Sequence, residues 1–218
     1  MSETSTITAI KAQERDRERV NIFVDGEFAF PLTAEMAVLE GLRIGSEITP
    51  DRIAELQVKD EQSKAVNSAL LLLTTRPRSI KEIRTRLRQK GFSAAAIDAA
   101  LAKAEGWNYV DDEAFARFWV ENREANRPRG RRLLEQELRD KGVNREIVRN
   151  VIDDADIDER AAAAELAKVK LRSYSNLEPE VARRRLTGFL ARKGYGFDIV
   201  KHALAEAMAT PLDDDETE

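Results

Sequence analysis

Between Arg123 and Arg132 five arginines fall within ten positions: Arg123, Arg127, Arg129, Arg131 and Arg132. Guanidinium groups present planar forks that pair bidentately with carboxylates or phosphates, so a cluster of them points to anion recognition rather than bond-making. Comparable groups recur upstream as Arg84, Arg86, Arg88 and Lys90, and downstream as Arg183, Arg184, Arg185 and Arg192. Arg129, Arg131 and Arg132 stand where a helix opens, and positive charge there opposes the helix dipole. Guanidiniums placed against local stability favour a binding role. The competing account is that each helix solvates one basic face.

Catalytic chemistry is poorly supplied. No Gly-x-x-x-x-Gly-Lys-Ser/Thr run occurs, so nucleotide hydrolysis through a phosphate-binding loop is not expected. His202 is the single histidine, set in an aliphatic helical pattern, and one histidine cannot build a metal cluster; a structural role is expected for it. Asp111 and Asp112 could in principle hold Mg²⁺, but at a helix start they have a sufficient reason as cap and dipole partners. The absence of cysteine removes disulfides, thiolate metal sites and thiol nucleophiles together, and fits a reducing cytoplasm. No catalytic residue, metal or cofactor is expected.

With 218 residues the chain can bury a real core in one or two domains. Charged residues make up 35% and aromatic residues 6%, a balance that favours helices with solvated faces. No run reaches the roughly 18–20 apolar residues of a membrane span. The start Met-Ser-Glu-Thr-Ser lacks the basic and apolar regions of a signal peptide, so the cytoplasm is the expected location. The formal charge of −4 hides an uneven distribution: residues 76–149 hold 18 Lys and Arg against 12 Asp and Glu, while acid gathers at 153–159 and 213–218. A basic middle between acidic flanks suggests an anionic partner. Solvated faces laced by i,i+4 pairs, such as Glu135–Arg139 and Glu137–Lys141, remain the alternative.

Helical elements must position these groups. Asp111 can cap a helix on which Phe115, Phe118, Trp119 and Asn122 share one face, so the three aromatic residues are expected in the core. After the Arg-Pro-Arg-Gly break, Leu134 and Leu138 restart an apolar stripe that Gly142 closes. The pattern repeats. Leu-x-x-Lys-Gly occurs at Leu87–Gly91, Leu138–Gly142 and Leu190–Gly194, with glycines 51 and 52 residues apart, and Ile83, Leu134 and Leu186 lie four positions before the leucines. Ser79-Ile-Lys-Glu82 reads as a capping box; Ser93 and Asn144 are N-cap candidates, and Asp198 is a weaker substitute in the third unit. Trp107 and Tyr109 are expected to wedge the first two units.

The N-terminal part differs. Val20, Ile22 and Val24 alternate, as do Phe28, Phe30 and Leu32, and Asp25-Gly26 between them is a type I′ hairpin signal; residues 2–13 read as an edge strand. Thr33–Glu40 reads as a short helix, and Thr49-Pro50 as another helix start. The expected fold is mainly α: three tandem three-helix repeats of about 50 residues, stacked into an elongated curved array, after a small β-rich module. The expected divisions are a module at 1–59, repeats at 60–109, 110–155 and 156–209, and an acidic disordered tail at 210–218.

Asp-Asp-Glu-Ala-Phe-Ala-Arg, Trp-Val-Glu-Asn-Arg, Arg-Pro-Arg-Gly-Arg-Arg and Glu-Leu-Arg-Asp-Lys-Gly, all within residues 111–142, closely resemble the RecX regulatory proteins of bacteria. The resemblance extends more loosely over about residues 60–208, and residues 1–59 are read as standing apart from it. It implies a non-enzymatic helical-repeat protein that lodges in the groove of a RecA filament on single-stranded DNA. There it would inhibit ATP hydrolysis, strand exchange and stimulated repressor cleavage. On that reading the arginines bridge acidic protein surface and phosphates, the chain acts as a monomer, and the acidic tail competes for the same arginines. The alternative is a direct DNA-binding protein that acts, without RecA, through phosphate contacts.

Overall fold

Thr49 accepts the Arg52 amide and Pro50 fixes the first helical φ, so a helix starts here and runs through an apolar stripe to Leu73. The computed structural model describes residues 4–14 and 16–209, and the acidic tail at 210–218 lies outside them. The chain divides into two units. The first holds the residues up to Arg76 with Ile83–Tyr109; the second holds Pro77–Glu82 and the residues from Val110 onward.

In the first unit β1 (Ser5–Ala12), β2 (Arg19–Val24), β3 (Glu27–Thr33) and the two-residue β4 (Glu47–Ile48) form an antiparallel sheet in the order β3-β2-β1-β4. Asp25 and Gly26 both take positive φ, 50° and 89°, as a type I′ turn demands. β1 is an interior strand, not an edge, because Ser5 and Thr6 pair with β4 on its far side. Ile7, Ile22, Phe30 and Leu32 bury one face of the sheet with Leu56 of α2 (Pro50–Leu73). Arg19 reaches Asp60 of α2 through two hydrogen bonds of 3.0 and 3.1 Å, and Lys64 reaches the same carboxylate at 2.7 Å. A buried carboxylate held by two cations fixes sheet to helix. α1 (Ala34–Leu39) lies between β3 and β4, and α2 runs without a break across residues 59–60, where the sequence reading divides module from repeat.

The remaining helices come in threes. α3 (Ile80–Gln89) and α4 (Ala94–Gly106) follow α2; α5 (Asp112–Asn126), α6 (Arg131–Asp140) and α7 (Arg145–Asp154) come next; α8 (Glu159–Arg172), α9 (Pro179–Arg192) and α10 (Phe197–Ala209) complete the set. Gly91, Gly142 and Gly194 have φ of 89°, 86° and 93°, and each ends a middle helix with one pattern of bonds. The amides of Phe92, Val143 and Tyr195 reach back to the carbonyls of Leu87, Leu138 and Leu190 at 3.3, 3.1 and 3.3 Å. These are Schellman turns, and the left-handed residue that each needs is why glycine recurs. Ser93 and Asn144 cap the helices that follow, but the equivalent third position is Gly196, and Asp198 lies inside the first turn of α10.

In the second unit Phe115, Val120, Leu134, Leu138, Val148 and Ile152 form one core, and Leu186, Leu190, Tyr195, Val200 and the alanines of α8 form another. Ile83 and Leu87 are equally buried in the first unit. Phe118 is only half-buried, and Trp119 packs against the core from its margin. Trp107 and Tyr109 are 50% and 61% exposed and meet each other edge to face at 6.2 Å, so they are not a buried wedge. His202 is an exposed residue beside Glu206, not a core histidine. Middle helices differ in one respect: α3 and α6 start seven residues before the motif leucine, whereas α9 starts eleven before it, with Pro179 in its first turn.

Candidate interface

Within the second unit α3 and α6 begin at two equivalent joints. Ile80 and Arg131, 51 residues apart, are the first residues of α3 and α6. The Ile80 amide donates to Asp112 at the start of α5, and the Arg131 amide donates to Glu159 at the start of α8, both at 2.9 Å. Each carboxylate satisfies a helix-terminal N–H and sets negative charge against the positive end of the dipole. The residue before each amide also meets the Lys-Gly turn of another helix. The Ser79 hydroxyl donates to the Lys141 carbonyl at 2.7 Å, and the Gly130 amide donates to the Lys193 carbonyl at 2.9 Å. The arginines at the start of α6 therefore do not face an unopposed dipole. Glu159 answers it.

Several arginines are committed to such structural contacts. Trp119 Nε1 and Arg123 Nε both donate to Glu137, at 2.9 and 2.7 Å, and Arg129 Nε lies 3.7 Å from the same carboxylate. The Arg123 guanidinium and the Lys141 ammonium stand over the Trp119 ring at 4.2 and 4.4 Å, contacts that suit the negative face of an indole. Lys141 pairs with Glu82 at 2.5 Å, so the expected Glu137–Lys141 pair is replaced by two others, while Glu135–Arg139 forms at 3.3 Å. Arg131 lies between Asp153 and Glu159. In the first unit Arg84 is bonded to Asp98.

The rest are free of such duties. Arg127, Arg132, Arg183, Arg184, Arg185 and Arg192 are exposed and have no carboxylate partner among the described residues. Arg88 and Lys90 of the first unit are exposed likewise. Lys193 is a member of this basic group that arginine counting misses. Burial pulls its ammonium below the ordinary lysine range, and Arg129 and Arg127 push the same way against Glu137. The repeated Lys of the Lys-Gly motif was the signal that could have found it. Arg132 and Arg192 flank a cleft of about 400 Å³ between α6 and the α9–α10 turn.

Among the described residues no group of three or more His, Cys, Asp or Glu could hold a metal, and no helix is long and apolar enough to cross a membrane. Tandem three-helix units with a small sheet at the front define a protein of the helical-repeat class. Family models match in the same order: the regulatory protein RecX N-terminal domain over residues 5–49, then the first, second and third RecX three-helix domains over 65–103, 111–152 and 158–204. This chain belongs to the RecX family of regulatory proteins. The regulatory protein RecX of Bacillus licheniformis is 33% identical over 201 residues, covering 92% of this chain and 76% of the relative. That of Clostridium botulinum is 29% identical over 211 residues, covering 95% and 99%. A crystal structure of regulatory protein RecX matches with a TM-score of 0.70 at 27% identity, covering 93% of this chain and 100% of the other. RecX from Lactobacillus salivarius, 22% identical with a TM-score of 0.60 over 70% and 99% of the two chains, shares the fold. The front sheet, which the sequence reading sets apart, is thus the family's own N-terminal domain.

Proposed function

We propose that this chain is a cytoplasmic, monomeric regulator of RecA that binds the filament on single-stranded DNA and inhibits its ATPase, strand-exchange and coprotease activities. The observation that carries this reading, within a family of regulatory proteins, is the set of exposed arginines on and beside α6 and α9 that no carboxylate among the described residues engages. Such guanidiniums are available to acidic protein surface and phosphate alike. Lodged in the filament groove, they would oppose the protomer rearrangements that ATP hydrolysis and strand exchange need. The test is single-stranded-DNA-dependent ATP hydrolysis by the cognate RecA, titrated with wild type and with Arg183→Ala/Arg184→Ala/Arg185→Ala. Inhibition by wild type at amounts below one per RecA protomer, weakened in the folded variant, is expected. No inhibition, together with steeply salt-sensitive binding to naked DNA, overturns it in favour of a DNA-binding protein acting without RecA.

A further inference from the structure

The cleft between α6 and the α9–α10 turn joins features that the repeat itself does not require. Phe197 opens α10 at its rim and is 77% exposed. Ala94 and Arg145 occupy the equivalent position, three residues after the motif glycine, in the other two units. An aromatic ring is therefore not needed to start this helix, and at that exposure it adds little to the core. Arg192 on the opposite wall replaces Gln89 and Asp140 of the other units, a reversal of charge relative to the second. Its guanidinium lies back along α9, since a β-carbon at Gly188 would come within 3.2 Å of Arg192 Nη1. Arg132 supplies a second cation from α6, and among the described residues no carboxylate lines the cleft.

We infer that this cleft is a nucleotide subsite for single-stranded DNA, in which Phe197 offers a base-stacking face and Arg132 and Arg192 take the flanking phosphates. A planar exposed ring beside unpaired guanidiniums matches the way extended nucleic acid is held: bases stack on aromatic side chains while the backbone follows positive charge. Leu133 and Val200 contribute apolar lining to the cleft, and Gln136 and Thr187 contribute polar lining. An acidic peptide would satisfy the two arginines but leave the ring without a flat partner. Asp198 follows Phe197 in the chain and is exposed, so its charge counts against a phosphate held near the ring. The inference deepens the proposed function by assigning Arg132 and Arg192 to DNA, while Arg183–Arg185 remain available to protein.

The test is fluorescence anisotropy of a labelled oligothymidylate at low salt, with wild-type chain, Phe197→Ala, Phe197→Trp and Arg132→Ala/Arg192→Ala, alongside RecA ATPase inhibition by the same proteins. Phe197→Ala is expected to weaken oligonucleotide binding about tenfold, the effect of losing one stacked base, and Phe197→Trp to restore it. The double arginine variant should flatten the dependence of log K on log salt by about 1.4, the value for two single-strand phosphate contacts. Asp198→Asn should tighten binding. Wild-type affinity in Phe197→Ala overturns the subsite, as does a wild type that does not bind the oligonucleotide. If Phe197→Ala loses filament inhibition yet binds the oligonucleotide normally, the cleft faces protein and the inference is also overturned. Failure of wild type to inhibit RecA counts against the proposed function alone, because the oligonucleotide measurement contains no RecA.

Discussion

The two joints of the second unit meet the same requirement with different atoms. At the start of α3 a serine side chain spans the gap to the Lys141 carbonyl, and Lys81 adds a bond from its ammonium to the Asp140 carbonyl at 2.9 Å. At the start of α6 the backbone makes the contact itself, and a β-carbon on Gly130 would run into the Gly194 carbonyl. A side-chain joint can adjust by a rotamer; a joint of backbone on backbone cannot. The α6 joint should therefore tolerate substitution less than the α3 joint, although both rest on one repeated motif.

Gly194→Ala should show this most strongly. Its φ of 93° disfavours any β-carbon, and the new atom would lie 2.7 Å from the Leu133 amide nitrogen. Left-handed strain of about 1–2 kcal/mol plus overpacking of about 1–3 kcal/mol predicts a loss near 3 kcal/mol, read from urea unfolding. Gly142→Ala carries similar strain, but its neighbour is the Lys81 side chain at 2.6 Å, part of which can swing away. About 2 kcal/mol is expected on the same scale. Equal losses for the two variants would break the comparison. Ser79→Ala removes a buried hydroxyl bonded to Lys141 and should cost about 1–2 kcal/mol, with hydrogen exchange rising first at the α3 amides that it caps. Glu159→Gln keeps an acceptor for the Arg131 amide but loses the charge, so about 0.5–1 kcal/mol is expected, shrinking as salt is added.

The smallest effect tests the packing behind the α6 joint. The buried Tyr195 hydroxyl has no hydrogen-bond partner among the described residues, and burial pushes its pKa up from 10.0 to about 12. The folded chain keeps a proton that the unfolded chain releases, so stability present below pH 10.0 is lost as pH rises toward about 12. Tyr195→Phe should leave neutral stability nearly unchanged, because it removes an unpaired polar group as well as a hydroxyl. It should also flatten the alkaline decline in thermal melts. An unaltered decline would mean that another group titrates there.

What the sequence made legible was local. Gly91, Gly142 and Gly194 could be aligned because one backbone conformation demands one residue type, and Asp111, Ser93 and Asn144 cap helices within a few positions of themselves. The arginines could be found but not sorted. Glu137 lies 14 residues from Arg123, and Glu159 lies 28 from Arg131, separations at which periodicity carries no signal. In the sequence Asp112 reads as dipole compensation for its own helix and Glu159 only as part of an acidic run at 153–159, whereas both also serve the starts of α3 and α6. The sheet was visible as alternation and a turn. Its family was not, because short alternating strands hold no irregular motif to match.

The additional turn at the start of α9 also changes what the third middle helix can offer a neighbour. At α3 and α6 the residue seven before the motif leucine has a free amide that receives a carboxylate from the following unit. In α9 that residue is Arg183, and the turn beginning at Pro179 places its amide inside the helical ladder. The joint that opens α3 and α6 is therefore not repeated at Arg183.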